Sequence, residues 1–138
     1  GAVDLADERI MQLQIRNKII MDNEVEWVDE SYPVTVTPKN QYLYLTYVNE
    51  EDEKVIIKCN QEELVMTRFS TPKSIMRFHA QNPAVVLIPT PLGIQHFKTE
   101  TSHYVFDPDK KSVTLHYCLK ALEGESALAD YELELRWQ

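Results

Sequence analysis

The chain has no apolar run longer than Ala84 to Ile88, far short of the roughly 20 residues a membrane-spanning helix needs. Cysteine is scarce as well. Cys59 and Cys118 stand far apart and form no CxxC, so the spacing of a zinc site or of a thioredoxin-like redox pair is missing. Each is expected as a small, reduced core residue in a strand. Basic residues are in deficit, 14 Lys and Arg against 22 Asp and Glu for a formal charge of −8, a sign that opposes approach to phosphate backbones and anionic headgroups. Nucleic acid and membrane surfaces are therefore not expected partners, and the Lys110-Lys111 pair beside Asp107 and Asp109 reads as a turn. The N-terminus lacks a basic stretch followed by an apolar one, so no secretory signal is read and a cytoplasmic location is the default. Helical periodicity longer than two turns is absent, and no GxSxG elbow occurs.

What is present is period-two alternation. Ile94, Phe97 and Val105, then Val113, Leu115, Tyr117 and Leu119, then Tyr131, Leu133, Leu135 and Trp137 are apolar with polar residues between most of them, the pattern of antiparallel strands with one buried and one wet face. Strand-like segments recur upstream: Leu13 to Met21, Glu24 to Thr37, Tyr42 to Val48, Val55 to Cys59, Leu64 to Phe69, Ser74 to Phe78 and Ala84 to Ile88. Turn formers separate them, among them Asp22-Asn23, Asn60-Gln61, Thr71-Pro72, Asn82-Pro83, Pro89 to Pro91, Asp107-Pro108-Asp109 and Glu123-Gly124. The acidic run Asn49 to Glu53 lacks the alternating oxygen ligands and central glycine of a calcium loop and reads as a solvated hairpin tip. In a chain of 138 residues this many short strands closes most simply into a barrel, which leaves no exposed edges. The expectation is an all-β, antiparallel up-and-down barrel, lipocalin-like, of about eight to ten strands. It occupies residues 11–138 as one domain, with residues 1–10 as an N-terminal extension or an added remnant and Met11 as one candidate start.

The order of residues in the middle and end resembles a known family. Arg68 is followed two residues on by the small Ser70, then come Met76, Phe78, Thr90-Pro91-Leu92-Gly93, Thr99 and Thr101, and finally Tyr117 and the strand beginning Tyr131-Glu-Leu-Glu-Leu. This resembles the YwiB-like family, small Firmicute proteins of unassigned function and calycin-type barrel fold. The family pattern has glycine where Ser70 stands, a tyrosine near Ile88 or Pro89, and an aromatic where Leu92 stands. The resemblance implies a barrel and a bacterial setting but no reaction.

Candidate site residues follow from alternation. Arg68 falls on the face of Leu64 and Met66; a guanidinium cannot shed its proton, so an inward one needs an acid such as Glu100 or Glu62, an escape to the rim, or an anionic ligand. If residues 93–121 fold as a hairpin with Val105 opposite Val113, then Phe97, Thr99, Thr101 and His103 share the inner face with Leu115, Tyr117, Leu119 and Ala121. Met66, Arg68, Phe78, Thr99, Thr101, His103 and Tyr117 would then line a site for a small amphipathic or anionic molecule. The bland alternative is that Thr and Tyr are simply good strand formers.

His79, His96, His103 and His116 show no paired spacing on one strand, and the hairpin puts His103 and His116 on opposite faces, so no metal and no cofactor are expected. His116 and Cys118 share the wet face with no oriented base beside them, and Glu132 and Glu134 alternate outward, so no enzyme is expected. The pattern favours no oligomeric state. Two readings remain: a barrel holding a small-molecule ligand, or a protein-interaction module with a packed, ligandless interior closed by Trp27, Phe78, Tyr117, Tyr131 and Trp137.

Overall fold

The computed structural model describes residues 9–138. Ten strands follow one another with no helix among the described residues: β1 (Arg9–Met21), β2 (Glu24–Lys39), β3 (Tyr42–Val48), β4 (Lys54–Cys59), β5 (Glu63–Arg68), β6 (Ser74–His79), β7 (Ala84–Thr90), β8 (Gly93–Asp107), β9 (Ser112–Ala121) and β10 (Ala127–Trp137). Every neighbour in sequence is an antiparallel neighbour in space, and β1 pairs with β10 to close the ring. The expected barrel is present, with ten strands. Arg9 and Ile10, assigned to the extension by the sequence, belong to β1, where Arg9 pairs with Val36 and Ile10 with Thr35. Residues 1–8 of that extension lie outside the described residues.

Local sequence explains the turns. Asp22-Asn23 and Asn40-Gln41 take positive φ at both positions, 51° and 64°, then 53° and 66°, the double left-handed step of a tight hairpin that Asp and Asn tolerate at the first three of these positions. In the acidic tip, the Asn49 side-chain oxygen accepts from the backbone N–H of Glu51 and Glu53 at 3.0 and 2.9 Å, an Asx turn that needs no cation. Between β7 and β8, Gly93 turns the chain at φ 108°. There the Thr90 hydroxyl donates to the Gly93 carbonyl at 2.7 Å and accepts from Leu92 N–H at 3.2 Å.

The interior is filled from both walls. Leu13, Leu45, Ile57, Cys59, Leu64, Leu115 and Leu135 are wholly buried, with Val34, Val113, Phe78, Tyr117 and Trp137 packed among them. Tyr117 stacks on Tyr131 with centroids 4.6 Å apart and tilts against Phe78 at 4.3 Å. One expected plug faces the other way. Trp27 occupies an odd position on β2, whose inward residues are Glu30, Tyr32, Val34 and Val36, so its ring lies outside, with Arg16 and Lys18 over it at 5.3 and 5.4 Å.

The barrel is least securely sewn between β6 and β7, where Ile75↔Leu87 is the ladder pair. A side chain compensates: Thr99 on β8, wholly buried opposite the small Ala84, sends its hydroxyl past β7 to donate to the Arg77 carbonyl of β6 at 2.7 Å.

Candidate functional site

The inner-face residues named from sequence divide into three groups. Met66, Phe78, Thr99, Thr101 and Tyr117 do lie on the inner wall, Phe78 and Tyr117 as core. Arg68 is on the inward face but at the rim, half-exposed, and its partner is Glu53 of the adjacent turn at 3.8 Å, not Glu100 or Glu62. The same rim carries Tyr32 stacked on Tyr47 with centroids 4.7 Å apart, and Tyr32 donates a hydrogen bond to Glu30. Burial pushes both tyrosine hydroxyls above their usual range, and at Tyr32 the Glu30 carboxylate adds to the rise. Glu100 is taken elsewhere, held below the usual carboxylate range by Lys120 Nζ at 2.8 Å.

His103 is a correction. A β-bulge at Ser102 shifts the β8–β9 register: Thr101 pairs with Tyr117, but His103 pairs with His116 and Phe106, not Val105, with Val113. One extra residue turns every later side chain over. His103 therefore sits outside, its ring 4.9 Å from that of His116 on the same face, and Tyr104 and Phe106 take the inward places. The His116 Nε2 lies 3.6 Å from Glu132 Oε1, yet no group of three metal-ligating side chains forms among the described residues.

The two inward threonines have opposite fates. Thr99 bridges the seam, whereas the Thr101 hydroxyl is buried with no partner, as is Asn17 Oδ1. Thr99→Val orphans the Arg77 carbonyl and should cost about 1–3 kcal/mol, while Thr101→Val removes an unpaired polar group and should be neutral or stabilising. Chemical denaturation of the two variants checks this, and equal losses would contradict it.

A chiefly apolar depression lies at the end of the barrel where β1 begins and β10 ends. Arg9, Ile10 and Met11 of β1, Val36 and Pro38 of β2, Leu43 of β3, Pro108 and Lys111 of the β8–β9 turn, and Trp137 of β10 surround a depression of about 500 Å³. Its lining is chiefly apolar, with two cationic residues. Lys111 is fixed there by its backbone: it turns at φ 55°, and its carbonyl accepts from Trp137 N–H at 3.1 Å. The sequence reading missed this set because it placed Arg9 and Ile10 in the extension and saw Lys111 only as a turn residue among acids. The available signal was the apolar Ile10-Met11 step beside Arg9, continuous with β1's alternation.

A fully closed, up-and-down ring of ten antiparallel strands with an aromatic interior defines the class. The chain belongs to the family described as Domain of unknown function (DUF1934), which it matches over residues 13–135. It is similar in fold to the ywiB protein from Bacillus subtilis, whose crystal structure superposes with a TM-score of 0.76 at 20% identity, covering 96% of this chain and 94% of that one. No curated protein matches the chain.

Proposed function

We propose that this is a non-enzymatic binding protein for a small amphipathic anion, held at the terminal end of the barrel. The carrying observation is the depression of about 500 Å³ with Met11, Val36, Leu43 and Trp137 in its wall and Arg9 and Lys111 in its lining. That volume is in the range of small-molecule sites, which are apolar with a few directed polar groups. An acyl or aromatic body against the apolar wall leaves its acidic head near the two cations, where charge-assisted contacts are the strong ones. The sequence called for the same ligand class deeper in the lumen, but that space is occupied by Phe78, Tyr117 and Tyr131. The lipocalin comparison thus rests on the barrel's use of one end, as in barrels that hold a single small ligand.

The test uses Trp137 as reporter. In a Trp27→Phe background, titration with laurate should change Trp137 fluorescence to saturation, and Lys111→Glu should weaken binding by about tenfold, the loss of one charged contact. A flat titration, or equal affinity in the Lys111→Glu protein, rejects the site.

A further inference from the structure

We propose that the outer face of β4 to β7 is a docking surface for an acidic polypeptide that also presents apolar side chains. It does not depend on the ligand site at the barrel's end.

The argument begins with where the acids are absent. In a chain of charge −8, strands β4, β5, β6 and β7 contain one carboxylate, Glu63, at the Asn60 turn, where its backbone N–H is capped by the Asn60 side chain. Their outward positions carry Lys54, Lys58 and Arg77 instead. Among the described residues no carboxylate lies within ion-pair distance of these three cations. The opposite side of the ring behaves differently: on β1, Arg16 meets Asp29 at 3.0 Å and Lys18 meets Glu132 at 3.6 Å. Lys58 lies over the Tyr42 ring at 4.1 Å and Lys54 over Phe69 at 5.9 Å, contacts that leave the positive charge uncancelled, so charge is neutralised by carboxylates across one half of the barrel and not on the other.

Between these cations stand exposed apolar side chains. Register places Lys58 opposite Val65 and Val65 opposite Arg77, and the pairing of Ile75 with Leu87 brings Arg77 beside Val85. Ile75, Val85, Leu87 and, on β8, Ile94 are all exposed, on a face where a solvated sheet would ordinarily carry polar residues. Cations interleaved with branched apolar residues complement a partner with carboxylates and apolar side chains.

Other occupants fit less well. A second copy meeting the same face would set Arg77 and Lys58 against their own like. A second copy offering its acidic β10–β2 side would join faces half a ring apart, giving an open chain of molecules with no closure. Single-stranded nucleic acid is bound on aromatic platforms, whereas the outward positions of β4 to β7 hold no Phe, Tyr or Trp and the flanking rings of Tyr42 and Phe69 are covered by Lys58 and by Lys54 and Lys73.

Fluorescence anisotropy with two labelled peptides tests the proposal, one alternating Glu with Val and one alternating Lys with Val. The Glu peptide should bind saturably and lose affinity with salt, and Arg77→Glu and Leu87→Gln should each weaken it about tenfold or more. Both residues are exposed, so the variants should melt with the parent. The proposal is overturned if the Glu peptide does not saturate, if the Lys peptide binds equally, if neither variant matters, if an oligonucleotide binds in preference, or if sedimentation shows the face consumed by self-association.

Discussion

Leu115→Ala is expected to lower the unfolding free energy by about 3 kcal/mol, in the range of buried Leu→Ala substitutions. Leu115 is wholly buried on β9, with Tyr104 opposite it on β8 and Leu133 on β10. Those neighbours are held in a closed ring by ladder bonds on both sides, so the wall cannot move in to fill the space, and the cavity term is retained in full. For a domain whose total stability is of order 5–15 kcal/mol, that is a large fraction. Leu87→Ala is the matched control: Leu87 is exposed on β7, and its truncation should stay within about 0.5 kcal/mol. Denaturant midpoints at unchanged m-value measure both. A Leu115→Ala loss below about 1 kcal/mol would mean that the interior is looser than its burial indicates.

The outcome for Leu115 rests on a feature that the sequence shows clearly. Val113, Leu115 and Tyr117, like Leu133, Leu135 and Trp137, alternate without interruption, and all six are buried where alternation puts them. The strand boundaries were legible for the same reason, since turn residues such as Asp22-Asn23 sit where left-handed backbone is needed. Alternation fixes a face only while the count of residues is unbroken. Ser102 breaks it, and because a bulge costs no composition, Val105 reads as inward although it is exposed. The even spacing of Tyr104 and Phe106 against the odd spacing of Phe97, Thr99 and Thr101 was the one available clue.

Sites were less legible than walls. The depression at the barrel's end draws residues from five separate segments, Arg9 to Met11, Val36 to Pro38, Leu43, the Pro108–Lys111 turn and Trp137. No short motif spans them, and only closure of the ring brings β1, β3 and β10 to one end. The charge asymmetry is a different case: β4 to β7 carry a single acid in the sequence itself. A net charge averaged over the chain conceals such a half, because the excess of Asp and Glu lies in the turns and on the other strands.

Alkaline pH should unfold the protein cooperatively as the protons of its buried thiol and phenols are drawn off. Cys59, sealed inside the barrel, has its thiol pushed by burial from about 9 up to about 12, and burial likewise raises the hydroxyls of Tyr47, Tyr104 and Tyr117 above their usual range. For Tyr104 the geometry agrees, because its hydroxyl donates within 2.7 Å of the Asn60 carbonyl and 2.8 Å of the Glu63 carbonyl. The unfolded chain sheds these protons from about pH 9 for the thiol and about pH 10 for the phenols, while the folded chain keeps them. Above pH 9 the native state therefore binds more protons than the unfolded state, and stability falls as pH rises, at about 1.4 kcal/mol per pH unit for each group in its window. At pH 11 the thiol accounts for about 3 kcal/mol and the three phenols for about 1 kcal/mol each, together on the order of 6 kcal/mol, comparable with the whole stability of many domains. The tyrosinate absorbance contributed by the buried tyrosines should accordingly rise in one steep step coincident with loss of the far-ultraviolet sheet signal. Replacing Cys59 by Val removes the earliest group and should move that step to higher pH, whereas a gradual tyrosinate titration in a protein that stays folded would show that these hydroxyls reach solvent.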